Sequence, residues 1–128
     1  MNVLNLYPFV RMIKYLLVEQ DDQIIVIADY NCAYHTDLVK KYASSFSRIL
    51  GGGQISFDLE RKLVIFWGTS DSLDKEANHK LAITKCSEDL KNHLKDVFSK
   101  IDSELPAWKG RLDYKEFKFV DEEAANLL

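Results

Sequence analysis

Two cysteines, Cys32 and Cys86, are too few for a disulfide framework or a four-cysteine zinc site. No apolar run approaches the ~20 residues that a membrane helix needs. The opening stretch, Met1 to Arg11, has its apolar residues broken by Asn2, Asn5 and Pro8. It lacks the charged start and clean apolar run of a secretory leader. Neither sign of charge dominates. A formal charge of −3 and a pI near 5.6 argue against a general nucleic-acid or anionic-membrane binder, while leaving room for one basic cleft. No internal repeat, low-complexity segment or domain linker interrupts the chain, and no carboxylate cluster has metal-ligand spacing. The expectation is a single cytoplasmic, monomeric domain over 1–128, with 1–12 and 121–128 as less ordered ends. Nucleic acid, membrane, metal and cofactor are not expected among its partners.

What the 128 residues do contain is an ordinary globular composition, 47% hydrophobic and 29% charged. That length buries roughly two-thirds of the unfolded surface. Tyr15–Val18 and Gln23–Ala28 are short, β-branched and apolar on both faces, which predicts central strands joined by a polar turn over Glu19–Asp22. Leu38, Val39, Tyr42, Ala43, Phe46, Ile49 and Leu50 recur at helical spacing. The pattern predicts a helix over 38–50, capped by His35 or Thr36 and stopped by Gly51–Gly53. Strands are predicted at Gln54–Asp58 and Arg61–Trp67. In the second of these Leu63, Ile65 and Trp67 share one face, and Val64 and Phe66 the other. A small polar loop, Gly68–Asp74, leads into a second helix whose stripe is Ile83, Cys86, Leu90, Leu94, Val97 and Ile101, ending before Pro106. An edge strand falls within Leu112–Val120. This order predicts an α/β domain with a mixed central sheet of five or six strands, flanked by two main helices.

The chemistry concentrates at Tyr30–Asp37, between a strand and a helix start. Free backbone N–H groups and the positive helix end there suit an anion. His35 is the titratable side chain fit for chemistry at neutral pH. Its bland alternative is a structural or merely exposed histidine. Cys32 and His35 also form a C-x-x-H, but neither cysteine is followed by the arginine of a thiol-phosphatase loop. Gly51–Ser56 lacks the Lys-Ser/Thr of a nucleotide-binding loop and leads into a strand. Gly68–Ser72 offers accessible backbone donors, or is an ordinary strand-to-helix turn. His79 and His93 are expected on the surface, and Asp21–Asp22 and Glu122–Glu123 as solvated charge.

Taken together, Lys14-Tyr-Leu-Leu-Val18, Ala33-Tyr-His-Thr-Asp37, Leu50-Gly-Gly-Gly-Gln-Ile-Ser56, the Gly68-Thr-Ser loop and Ala77-x-His79 make the chain resemble the phosphohistidine phosphatase, or Janus/Ocnus, family. The matching features cover about 14–90 in family order. The resemblance implies a small, metal-independent hydrolase of phosphoramidate bonds that acts on phosphohistidine in proteins. His35 would be the catalytic base or nucleophile. Lys14, Thr36, Gln54, Ser70 and Ser72 would surround the phosphate, with Ser72 displaced by about one inserted residue. Gln54 stands where the family has arginine, which exchanges a charge-assisted phosphate contact for a neutral one. Asp71 and Asp74 add unhelpful charge to the same loop. The alternative is a non-catalytic member that binds a phosphorylated or other protein partner, with a role in sex differentiation.

Overall fold

The computed structural model describes residues 12–70, 73, 75–104 and 113–128. Five strands form one mixed sheet: β1 (Ile13–Gln20), β2 (Gln23–Ala28), β3 (Arg48–Asp58), β4 (Leu63–Trp67) and β5 (Lys118–Asp121), in the spatial order β2-β1-β3-β4-β5. Helix α1 (His35–Tyr42) joins β2 to β3. Helices α2 (His79–Thr84) and α3 (Glu88–Glu104) lie between β4 and β5, and α4 (Glu122–Leu127) follows β5. All pairings are antiparallel except β4 with β5. The predicted α/β class and mixed sheet hold.

Alternation along β1 explains why its sequence is apolar on both faces. Ile13, Tyr15 and Leu17 join Phe57, Phe66, Leu94 and Phe98 in the larger core beneath α2 and α3. Leu16 and Val18 pack with Leu38 of α1 on the other face. β4 divides as predicted, with Val64 and Phe66 in the larger core and Leu63 and Ile65 against Ala125 of α4.

Four expectations need correction. First, β2 is an edge strand; helices over both faces, not strands on both sides, make it apolar throughout. Second, the helix ends at Tyr42, with a 3-10 turn over Ala43–Ser45, and Gly51–Gly53 lie inside β3. Ile49 and Leu50 fit the helical period, but pairing with β1 takes them into the sheet. Third, the long second helix is two. Asn78 caps α2 by accepting from Leu81 N–H, and the Ser87 hydroxyl accepts from Leu90 N–H to start α3 afresh. Fourth, 121–128 is not a frayed tail. Asp121 caps α4 by accepting from Ala124 N–H, and Ala125 is fully buried. Of the expected less ordered start, 1–12, only Met12 is among the described residues, and Pro106 and Leu112 also lie outside them.

Candidate phosphate site

Tyr34, in extended conformation, is the N-cap of α1, so His35 is the first helical residue and not its cap. Asp37 reaches back to accept from Tyr34 N–H at 3.1 Å. Intrahelical bonding begins with Asp37 and Leu38, whose N–H groups point to Tyr34 O. Thr36 N–H is therefore a first-turn donor with no acceptor among the described residues. The His35 ring turns inward, only 5% exposed, and its Nε2–H donates to Gly53 O at 2.8 Å. That bond fixes the tautomer and leaves Nδ1 as the nitrogen carrying the lone pair.

The three glycines of β3 make room for what surrounds them. A Cβ on Gly52 would stand 2.9 Å from both His35 Cδ2 and Ser70 Cβ. On Gly51 it would meet the backbone of Ala77 at 2.6 Å. On Gly53 it would meet His79 Cε1 at 2.7 Å and Tyr15 Cε1 at 2.8 Å. One imidazole thus lies against each face of β3 at the same point. Ser70, 1% exposed, comes to Gly52 alongside His35 because the chain after β4 folds back over β3. Gly52 N–H donates to Lys75 O and Ala77 N–H to Gly52 O. Within that loop the Ser70 hydroxyl accepts from Leu73 N–H at 3.2 Å.

His79, expected on the surface, is instead a wedge with a side chain only 12% exposed. Burial raises the Tyr15 hydroxyl far above its ordinary range, so it stays protonated and donates to His79 Nδ1. His79 Nε2–H in turn donates to Gly68 O at 2.8 Å, holding the start of the Ser70 loop. Tyr15 and His79 are 64 positions apart, and periodicity could not pair them.

Lys14 and Gln54 are directly opposed across β1 and β3, on the face that carries Leu16 and α1. Lys14 is half-buried, and no ion pair or hydrogen bond holds its ammonium among the described residues. Gln54 is differently placed from what its position in the motif implies. It is 9% exposed, and its Nε2 donates to Thr69 O at 2.9 Å. Its Oε1 is buried, without a partner among the described residues, under Gly68, whose φ of +73° and missing Cβ leave space for it. The side chain therefore ties the loop to β3. Ser72, Asp71 and Asp74 lie outside the described residues.

A second polar cluster went unread in the sequence. Asp29, after β2, accepts from Lys41 Nζ at 2.5 Å, Tyr42 OH at 2.7 Å and Asn31 N–H at 2.9 Å. Burial opposes its ionisation, yet the bonds from Lys41, Tyr42 and Asn31 outweigh it and bring the carboxyl from 3.8 down to about 2. A carboxylate depressed on folding stabilises above its unfolded pKa, and that stability is lost as pH falls through the folded one. Asp29→Asn should therefore cost about 2 kcal/mol at pH 7, with the gap closing toward pH 2. Urea unfolding across this range checks it, and a gap that stays constant with pH would exclude the ionic origin. His93, also expected on the surface, accepts from Tyr30 N–H at 3.0 Å through Nε2.

Burial pushes up both thiols, Cys86 to about 11, and Asp29 pushes Cys32 further the same way. Neither suits a thiolate nucleophile. The arrangement offers an imidazole of fixed tautomer, a backbone donor at a helix start, a buried serine and an ammonium with no partner among the described residues. The family model described as Janus/Ocnus family (Ocnus) matches residues 9–97. No curated protein matches the chain.

Proposed function

We propose, from the premise that this chain belongs to the Janus/Ocnus family, that it hydrolyses phosphoramidate bonds, with phosphohistidine in proteins as the substrate class. The observation that carries this reading is the His35 ring, held by Gly53 O at 2.8 Å so that Nδ1 carries the lone pair of the neutral ring, next to Thr36 N–H, which has no acceptor among the described residues. The P–N bond of a phosphoramidate is labile once its leaving nitrogen is protonated, so the protein has chiefly to position and neutralise. Thr36 N–H, the Ser70 loop and the Lys14 ammonium supply the donors and charge for the phosphoryl oxygens. His35 Nδ1 either takes a proton from the attacking water or attacks phosphorus itself. In the second route a P–Nδ1 bond forms as the substrate's P–N bond breaks, and water then releases phosphate.

A second reading, a non-catalytic member that binds a phosphorylated partner, draws on Gln54. A neutral amide committed to Thr69 O brings no positive charge to a phosphoryl group. One assay separates the readings: a phosphohistidine peptide incubated with the protein in excess chelator, with Lys14→Ala and Lys40→Ala in parallel. Turnover should survive the chelator. Lys14→Ala should lower kcat/KM roughly ten- to a hundredfold, from the 1.5–3 kcal/mol of a charged hydrogen bond, and Lys40→Ala, on the exposed face of α1, less than twofold. Phosphate binding with no turnover by wild type would favour the second reading. Activity restored only by a divalent ion would refute a metal-independent route.

A further inference from the structure

The β1–β2 hairpin turns through Asp21 and Asp22, both at positive φ, and closes at the Gln20–Gln23 pair. Antiparallel alternation then bonds Gln23, Ile25 and Ile27 to β1 and directs the N–H and C=O groups of Ile24, Val26 and Ala28 away from the sheet. Among the described residues nothing bonds to those outward groups. Val26 and Ala28, with Ile25 and Ile27, line a cleft of about 550 Å³, walled by Tyr42 and Ser45 on the α1 side and by Asp89, Leu90 and His93 on the α3 side.

Edge strands are ordinarily blunted by charge, proline or a bulge, and Gln23–Ala28 has no charge or proline and pairs with β1 in unbroken register. A strand edge lying between helices takes an extended chain as its next strand. Charge selects among extended chains. Exposed Asp21 and Asp22 make the turn and exposed Asp89 lines the cleft, while Asp29 is already neutralised by Lys41. We infer that β2 is a docking edge for an extended segment of a partner polypeptide, apolar at alternate positions and carrying a lysine or arginine to meet Asp21, Asp22 and Asp89. This stands apart from the chemistry at His35, and its failure would leave that chemistry untouched.

The probe is the peptide acetyl-Lys-Val-Thr-Val-Thr-Val-Lys-amide, with a version carrying glutamate for both lysines. On binding, amide exchange at Ile24, Val26 and Ala28 should slow at least tenfold, while Ile25 and Ile27, already bonded, should change little. N-methylating one alternate set of peptide amides should weaken binding tenfold or more, and methylating the other set less than twofold. Asp89→Lys, an exposed change that leaves the core intact, should weaken the lysine peptide about fivefold and strengthen the glutamate one. Equal binding of both peptides, equal effects of both methylation sets, or no slowing of the three amides would overturn the inference. So would a dimer, seen by sedimentation without peptide, that already protects the same amides. That result would make the edge a self-association surface.

Discussion

His35→Ala is expected to lower phosphoramidate turnover by roughly a hundredfold to ten-thousandfold, the range that a positioned acid–base group contributes. The ring is buried and satisfies Gly53 O, so the alanine variant also leaves a carbonyl unpaired and should lose about 1–3 kcal/mol of stability. His35→Gln separates the two effects. Its amide can still donate toward Gly53 O, which recovers part of the stability but none of the turnover. A folded glutamine variant near wild-type rate would remove His35 from the chemistry. Rapid quench of wild type then distinguishes the two routes. Acid-labile phosphate on His35 marks the nucleophile, and its absence at full turnover marks the base.

The largest effect on stability is expected at Gly51→Ala. The new Cβ would stand 2.6 Å from Ala77 Cα and 2.7 Å from Ala77 N, and both are backbone atoms. The returning segment is pinned there by the Gly52 N–H bond to Lys75 O at 3.0 Å and the Ala77 N–H bond to Gly52 O at 3.1 Å. Neither side can yield cheaply. A loss of about 3 kcal/mol, or on the order of 10 °C in Tm, is expected by thermal unfolding. A loss under about 1 kcal/mol would show that the Lys75–Ala77 segment moves freely off β3. It would then be an unreliable support for Ser70.

The strands were legible where one physical cause wrote the pattern. In β4 alternate burial on two faces gives Leu63, Ile65 and Trp67 against Val64 and Phe66, and the sequence says as much. β2 carries a similar apolar pattern for a different reason, helices over both faces at an edge, and composition does not distinguish the two. The glycines were misread because a run of glycine after helical spacing resembles a helix stop. Their real cause is the bulk of His35, His79 and Ala77, brought together by pairing that no local window contains. One clue was available: Gln54-Ile-Ser-Phe-Asp58 follows Gly53 directly, with no turn residues between stop and strand. His35 was found through its place at a helix start, and its tautomer required Gly53 O, 18 positions away. Tyr15, which bonds His79, and Tyr30, which bonds His93, are 64 and 63 positions off, beyond any periodicity.

Three adjacent glycines in one strand also carry a thermodynamic consequence. Unfolded, such a stretch samples far more backbone conformations than alanine would, and holding it extended costs roughly 0.5–1 kcal/mol per residue more. Glycine-to-alanine replacement normally recovers that difference by restricting the denatured ensemble. At 51, 52 and 53 the route is closed, because each added methyl would come within 3.0 Å of atoms already in place. Conformational entropy of about 1.5–3 kcal/mol is thus committed to keeping β3 bare. A thermostable version of this protein has to find its gains elsewhere.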